Sequence, residues 1–377
     1  AAIASAFAVA PAPAQDAAPT IADPMALPAE PMRLADHALV LDLARAGTRL
    51  VAVGERGQVL LSDDGQDWRQ STGVPVRSNL TAVSAVGASV WAVGHDGTIL
   101  HSADAGETWQ VQRRDPWAPA TDDAAHDPRQ GVPLLDVLFT DASTGYAVGA
   151  YSLLLTTRDG GQTWTGGRIN VVGGGETLIN GKPALINDAS PVTVVDRAQV
   201  DDALPDDDSG DTFSAEELRI GEEADPHLNA IARTGSGAFV IVAERGAIFR
   251  SRDGGANWER SQLPYDGSMF GVIGYDGDHV LAFGLRGHVF ESRDLGTSWV
   301  DVPTGTELSL MGGAALADGG AIVVGANGTV LHRAGASDPL VLSTHTAGGA
   351  IAGVLPLADG RELVVAGENG LSRYQPK

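Results

Sequence analysis

The chain has 377 residues, 43% of them hydrophobic, enough for one large core or two average ones. Its 48 acids against 25 Lys and Arg give a formal charge of −23, which sets it against nucleic acid and anionic headgroups. The absence of cysteine removes disulfides, thiolate metal sites, a cysteine nucleophile and a cysteine lipid anchor.

Residues 1–14 (AAIASAFAVAPAPA) are small and apolar, and Ala12-Pro13-Ala14 fits the A-x-A pattern of a signal-peptidase site. With no initiator Met, this stretch reads as a signal-peptide remnant, so the mature protein is expected in the periplasm. It is too short to span a bilayer, and no direct membrane insertion is expected. Residues 15–33 read as a Pro/Ala-rich linker, and residues 34–377 as one repeat domain.

The repeat defines the expected fold. An apolar pair, Gly-x-x-Gly and a short apolar run precede Ser/Thr-x-Asp-x-Gly-x-x-Trp. The second copy runs from Val93-Gly94-His95-Asp96-Gly97 to Ser102, Asp104, Gly106 and Trp109. Others end in Asp159 and Trp164, Asp253 and Trp258, and Asp294 and Trp299; the first, with Asp64 and Trp68, is one residue short. The Gly-x-x-Gly phrase opens at Gly54, Gly94, Gly149, Ala243, Gly284, Gly325 and Gly367, at steps of 40, 55, 94, 41, 41 and 42 residues. The third copy lacks its second Gly and the fourth its first. Steps near 40 match one four-stranded blade each, and the two long steps carry insertions at 111–132 and 165–226. The expectation is all-β: a seven-bladed β-propeller of four-stranded antiparallel blades. In the second blade the strands a to d are expected at Leu80–Val86, Val90–Gly94, Thr98–Ser102 and Trp109–Gln112. Gly-x-x-Gly is expected to frame a tight b–c hairpin at positive φ. The Asp motif is expected to make the c–d turn, its carboxylate taking turn N–H groups and its Trp packing on a neighbour. The seventh copy lacks strand d, which Pro31 to His37 is expected to supply.

The Ser/Thr-x-Asp-x-Gly-x-x-Trp phrase resembles the Asp-box, or BNR, repeat. Over residues 40 to 375 the chain is similar to the photosystem II assembly-factor-like family of Asp-box propellers. That resemblance extends to a periplasmic branch associated with RND-type, MMPL-like exporters. It implies a non-catalytic scaffold that binds a protein partner, such as an exporter or another envelope complex, and is a monomer on its own. The Arg-rich surface of photosynthetic members is not evident in this acidic chain.

Strand directions place the a–b and c–d turns on one face of a propeller and the b–c turns and d–a connections on the other. Both insertions then share a face with the b–c turns, which present Glu55, Arg56, His95, Asp96, Tyr151, Glu244, Arg245, Arg286, Asn327, Glu368 and Asn369. This mixed-charge ring is the candidate partner-binding face, although ordinary solvated turn residues give the same pattern.

Asp196 to Asp225 holds twelve acids and two arginines. Within it Asp206, Asp208 and Glu217 occupy positions 1, 3 and 12 of a calcium-loop pattern, but Asp211 stands where Gly is needed. The competing reading makes Ser214-x-x-Glu217 a capping box for a short helix ended by Gly221. No cofactor is otherwise expected.

Asp-box repeats also occur in glycosidases, so a glycan-binding or sialidase-like propeller is the alternative. Its Arg-Ile-Pro signature is missing, with Arg168-Ile169-Asn170 the nearest string. The nine His residues form no H-E-x-x-H, Gly173-Gly174-Gly175 lacks the Lys of a phosphate loop, and no G-x-S-x-G occurs. No catalytic residue is assigned.

Overall fold

A computed structural model describes residues 27–116, 131–169, 225–316, 319–357 and 362–376, and the backbone of 171–174, 178–179 and 182–183. Seven sheets ring one axis. Blade 1 comprises β1 (Val40–Ala46), β2 (Arg49–Gly54), β3 (Val59–Ser62) and β4 (Arg69–Gln70). Blade 2 comprises β5 (Leu80–Val86), β6 (Ser89–Gly94), β7 (Ile99–Ser102) and β8 (Gln110–Arg113). Blade 3 comprises β9 (Leu134–Phe139), β10 (Gly145–Gly149), β11 (Leu153–Thr157) and β12 (Thr165–Arg168). The second insertion then contributes β13 (Val171–Gly174), β14 (Leu178–Ile179) and β15 (Lys182–Pro183). Blade 4 follows with β16 (Leu228–Arg233), β17 (Phe239–Ala243), β18 (Ala247–Ser251) and β19 (Trp258–Gln262). Blade 5 has β20 (Met269–Gly274), β21 (Val280–Gly284), β22 (Val289–Ser292) and β23 (Ser298–Asp301). Blade 6 has β24 (Leu310–Ala315), β25 (Gly319–Gly325), β26 (Thr329–Gly335) and β27 (Val341–Thr344), and blade 7 has β28 (Ile351–Pro356), β29 (Leu363–Gly367) and β30 (Gly370–Tyr374).

The a strands line the axis, each touching the a strand of the next blade, and β1 closes the ring against β28. Every a strand starts with a register irregularity, such as that between Val40 and Asp42 or Leu310 and Gly312. The b strands are buried along nearly their whole length, as in Phe239–Ala243 and Val280–Gly284. They are sandwiched between blades on both sides, so they read as continuous apolar runs. One apolar cluster fills each blade interface, seven in all. The motif tryptophans drive into these clusters, each against the preceding blade: Trp109 between blades 1 and 2, Trp258 between 3 and 4, Trp299 between 4 and 5. Trp164 and Trp68 are partly buried in the same role.

Three expectations need correction. Blade 7 has three strands among the described residues, and Pro31 to His37 adds no ladder. The segment seals the seam between blades 7 and 1 by other means. Met32 N donates to Gln70 Oε1 at 2.8 Å, and a 3-10 turn at Ala35–His37 inserts buried Ala35 beside Met32, Trp68 and Leu371. Second, Thr165–Arg168 is the fourth strand of blade 3 and not part of the insertion. Similarly, Val111 belongs to β8. Third, the second insertion does not stay on one face. β13 pairs in parallel with β19, and β14 with β23, so it runs along the outer rim of blades 4 and 5.

Candidate functional site

The face bearing the b–c turns is joined to the d–a connections by hydrogen bonds. Arg56 N donates to Asn79 Oδ1 at 2.8 Å and His95 N to Asn79 O at 3.0 Å, so one d–a residue anchors two neighbouring b–c turns. Gly97 N meets Val132 O, and Asp115 N meets Asp96 O, at the two ends of the first insertion. Ile169 N donates to Ser152 O and Ser152 N to Pro226 O, so the second insertion leaves and returns at the b–c turn of blade 3. The insertions thus begin and end on the expected side.

The glycines of Gly-x-x-Gly serve two purposes, and only the second matches expectation. The first, such as Gly54 at φ −167, is extended, and a Cβ there would meet the Leu39 carbonyl oxygen at 2.2 Å. Gly94, Gly284, Gly325 and Gly367 meet the same obstacle at 2.0–2.3 Å. The second, such as Gly57 at φ +71, is left-handed, and its Cβ would meet Val76 O at 2.2 Å. The residue before it is left-handed as well: Arg56, Asp96, Arg245, Arg286 and Asn327 all have φ of 54–59. In blade 3, Tyr151 and Ser152 occupy both left-handed positions. Asp and Asn adopt this conformation readily, whereas Arg and Tyr do so against strain.

Most of the eleven candidate residues lie on this rim, and some are tied into it. Asp96 Oδ2 accepts from Ser78 Oγ at 2.8 Å, Glu244 Oε2 from His227 N at 3.1 Å and Glu368 Oε2 from Ala350 N at 2.9 Å. Asn369 Nδ2 donates to Ala347 O and Gly348 O. Arg56, His95, Arg245, Arg286 and Asn327 are exposed, and Glu55 is half-buried. Tyr151 is 43% exposed and meets the His227 ring edge-on at 5.2 Å. The candidate calcium residues Asp206, Asp208 and Glu217 lie outside the described residues. Among the described residues no cluster of three or more metal-binding side chains occurs.

The opposite face carries the Asp motifs. In blade 2, Ser102 Oγ donates to Asp104 Oδ1 at 2.7 Å and accepts from Gly106 N; Asp104 accepts both Thr108 N and Thr108 Oγ1, and Trp109 Nε1 donates to Gly106 O. Asp159 with Thr163, Asp253 with Asn257 and Asp294 with Ser298 repeat it. In the short first copy, Asp64 Oδ1 accepts from Gln66 N and Asp67 N. The Thr163 hydroxyl and N–H hold the Asp159 carboxyl down to about 2, and Asn257 does the same for Asp253. Carboxylates so saturated are turn caps.

The residues missed from sequence are Asp42 and Asp136, the only acids on the seven a strands. They occupy the same register position in blades 1 and 3, where blades 5, 6 and 7 have Gly271, Gly312 and Gly353. Asp42 accepts Val83 N of the next blade and its neighbour Leu43 N, each at 2.8 Å. Asp136 accepts Ile231 N at 2.8 Å and Val137 N at 2.7 Å. Burial pushes Asp42 up to about 6 and Asp136, which also feels Asp42, up to about 7. Both oxygens of each carboxyl serve main-chain N–H groups, so the pair ties blade 1 to 2 and blade 3 to 4. An acid interrupting an apolar a strand at a repeated register was the signal available in the sequence.

The fold and its faces define a seven-bladed β-propeller. No protein-family description matches the sequence, and no curated protein sequence does. Solved structures do match. The chain is similar to YCF48 bound to D1 peptide, at 16% identity and TM-score 0.61, covering 93% of this chain and 100% of that one. It is also similar to YCF48 from Cyanidioschyzon merolae, at 13% identity and TM-score 0.57 over 92% and 97% of the two chains. The WD40 β-propeller domain of Doa1 matches at 12% identity and TM-score 0.59 over 94% and 97%. At these identities the likeness establishes the architecture, shared by photosystem II assembly-factor-like and WD40 propellers.

Proposed function

We propose that this propeller is a non-catalytic scaffold that holds a protein partner on its b–c face. The observation that carries the reading is the column of left-handed turn residues. Six successive blades hold a non-glycine side chain at the position where glycine would relieve strain, and three of the six are Arg56, Arg245 and Arg286. Tyr and Arg are the side chains enriched where interfaces concentrate binding energy. YCF48 bound to D1 peptide supports the reading by likeness of fold. We read the Asp motifs as Asp-box repeats whose role is to stiffen the opposite face. On the signal-peptide-like start and the family resemblance, we place the partner in the periplasm, as an RND-type exporter or another envelope complex.

Capture from detergent-solubilised native envelope, comparing the intact protein with an Arg56→Glu, Arg245→Glu, Arg286→Glu variant, tests this. A partner recovered by the intact protein and lost by a variant of unchanged melting temperature is expected. Equal recovery by both, or no partner with either, overturns it.

A further inference from the structure

The outer edges of the seven blades are protected unequally. β4 is two residues long and carries Arg69, β8 ends in Arg113 and β12 in Arg168, all ion-paired. The edges of blades 4 and 5 are taken by β13 and β14. β30 carries Arg373, paired with Glu362, and the 3-10 turn at Ala35–His37 overlies Gly370. Shortness, charge and cover are the usual defences against stray strand pairing. β27, Val341-Leu-Ser-Thr344, carries no charge, pairs with β26 alone among the described residues, and leaves Val341 58% and Leu342 43% exposed.

Its hydrogen-bonding groups can be placed. His345 N donates inward to Gly328 O at 2.8 Å. Alternation along the strand then turns the N–H and C=O of Leu342 and Thr344 outward, the spacing that a further parallel strand requires. Blades 4 and 5 already accept such strands: β13 and β14 add to them in parallel. Asp338 stands in the turn that leads into β27, where Arg293 also donates to Ala336 O, and Glu307 lies two residues from Gly305, whose Cβ would meet Leu342 at 3.9 Å; both are exposed acids that no ion pair engages among the described residues. A second copy of a chain of charge −23 would be repelled there, and a cationic segment attracted.

We propose that the outer edge of blade 6 is a strand-addition site for an extended, β-branched segment of a partner protein flanked by Lys or Arg. Main-chain bonds to Leu342 and Thr344 supply the affinity, and Val341, Leu342 and the acids Glu307 and Asp338 supply the selection. This surface is separate from the b–c face, so it stands or falls independently of the function proposed above.

The test is fluorescence anisotropy of the full chain with labelled Lys-Lys-Val-Thr-Val-Thr-Val-Lys-Lys. Three comparisons accompany it: the same peptide with both threonines replaced by proline, the peptide with glutamate flanks, and the protein variant Leu342→Lys. Saturable binding is expected, with a loss of tenfold or more in all three comparisons. Hydrogen exchange should slow at the Leu342 and Thr344 amides only when the first peptide is bound, and the exposed Leu342→Lys change should leave the melting temperature unaltered. No saturable binding, equal binding of the proline peptide, or equal binding by Leu342→Lys overturns the proposal. So does a dimer of the free protein that Leu342→Lys dissolves, since a second copy would then be the occupant.

Discussion

Replacing Asp42 and Asp136 together by Asn should remove a pH dependence that these carboxyls impose on folding. In the folded chain burial lifts Asp136 from 3.8 to about 7 and Asp42 to about 6. Each therefore keeps a proton at a pH where the unfolded chain has released it. The stability this brings is fully present below the ordinary carboxylate value and is lost as the pH rises through about 6 and then about 7. At about 1.4 kcal/mol for each tenfold gain in proton affinity, fully dry groups would give about 3 and about 4 kcal/mol. Both side chains keep some access to solvent and their titrations interact, so about 3 kcal/mol in total is expected. Asn never ionises, but each replacement loses one acceptor for a main-chain N–H, costing about 1 kcal/mol at any pH. The remaining charges on the a strands, Arg45 and Arg233, are common to both proteins and cancel in the comparison, as do the carboxylates held low by hydrogen bonds. Urea denaturation from about pH 3.5 to about pH 8.5 should therefore find the variant about 2 kcal/mol weaker at the acid end and level with or above the wild type at the alkaline end. Parallel stability curves would refute the reasoning.

Gly284→Ala puts a Cβ 2.3 Å from Ser268 O and 2.6 Å from Met269 Cα, both backbone, and should cost about 1–3 kcal/mol in a urea melt. The control is the equivalent Ala243, whose φ of −142 in place of −177 makes room, so Ala243→Gly should change stability by under about 1 kcal/mol. Glu291 binds Arg333 Nη1 at 3.0 Å and His279 Nε2 at 2.6 Å between blades 5 and 6, and Arg333 is 2% exposed. Glu291→Ala should lower stability by about 3–5 kcal/mol, with much of the loss recovered when Arg333→Met is added, read as shifts in the urea midpoint. Arg286→Gly relieves about 1–2 kcal/mol of left-handed strain and costs about 0.5–1 kcal/mol in unfolded-state entropy, so the melt should hold while capture of a partner falls.

The ring, its blade number and its two faces were legible because the repeated motifs act locally. The Ser102–Asp104–Thr108 turn is closed by side chains within seven residues of one another, and a seven-residue phrase is enough to predict it. What was illegible depends on backbones far apart in sequence. Gly54 is required by the Leu39 carbonyl and Gly94 by that of Asn79, so no reading of the turn alone separates the steric glycine from the left-handed one. The closure failed for a related reason. Residues 31–37 have the length of a strand, but Met32 and Ala35 fill an apolar gap beside Trp68 and Leu371, and packing decides their path. The rim course of the second insertion was hidden because parallel addition of Val171–Gly174 to β19 leaves no turn or period in the sequence.

The two faces divide the physical work. On the Asp-motif face each motif aspartate is spent on its own turn, and Asp159 and Asp253 are held far below neutral pH by those bonds. Those aspartates resist change in pH and have little acceptor capacity left for a partner. On the b–c face the turns are held by main-chain bonds to the d–a connections, as at Asn79 and Val132, which leaves Arg56, Arg286 and Tyr151 to project from a rigid rim. A side chain held in left-handed geometry has already lost its backbone freedom before a partner arrives, so less entropy remains to be lost on binding. The strain that makes these positions poor for stability is the same constraint that makes them good anchors. A function that resides there is therefore expected to survive changes to the Asp motifs that keep the fold, and to fail on changes that leave the fold untouched.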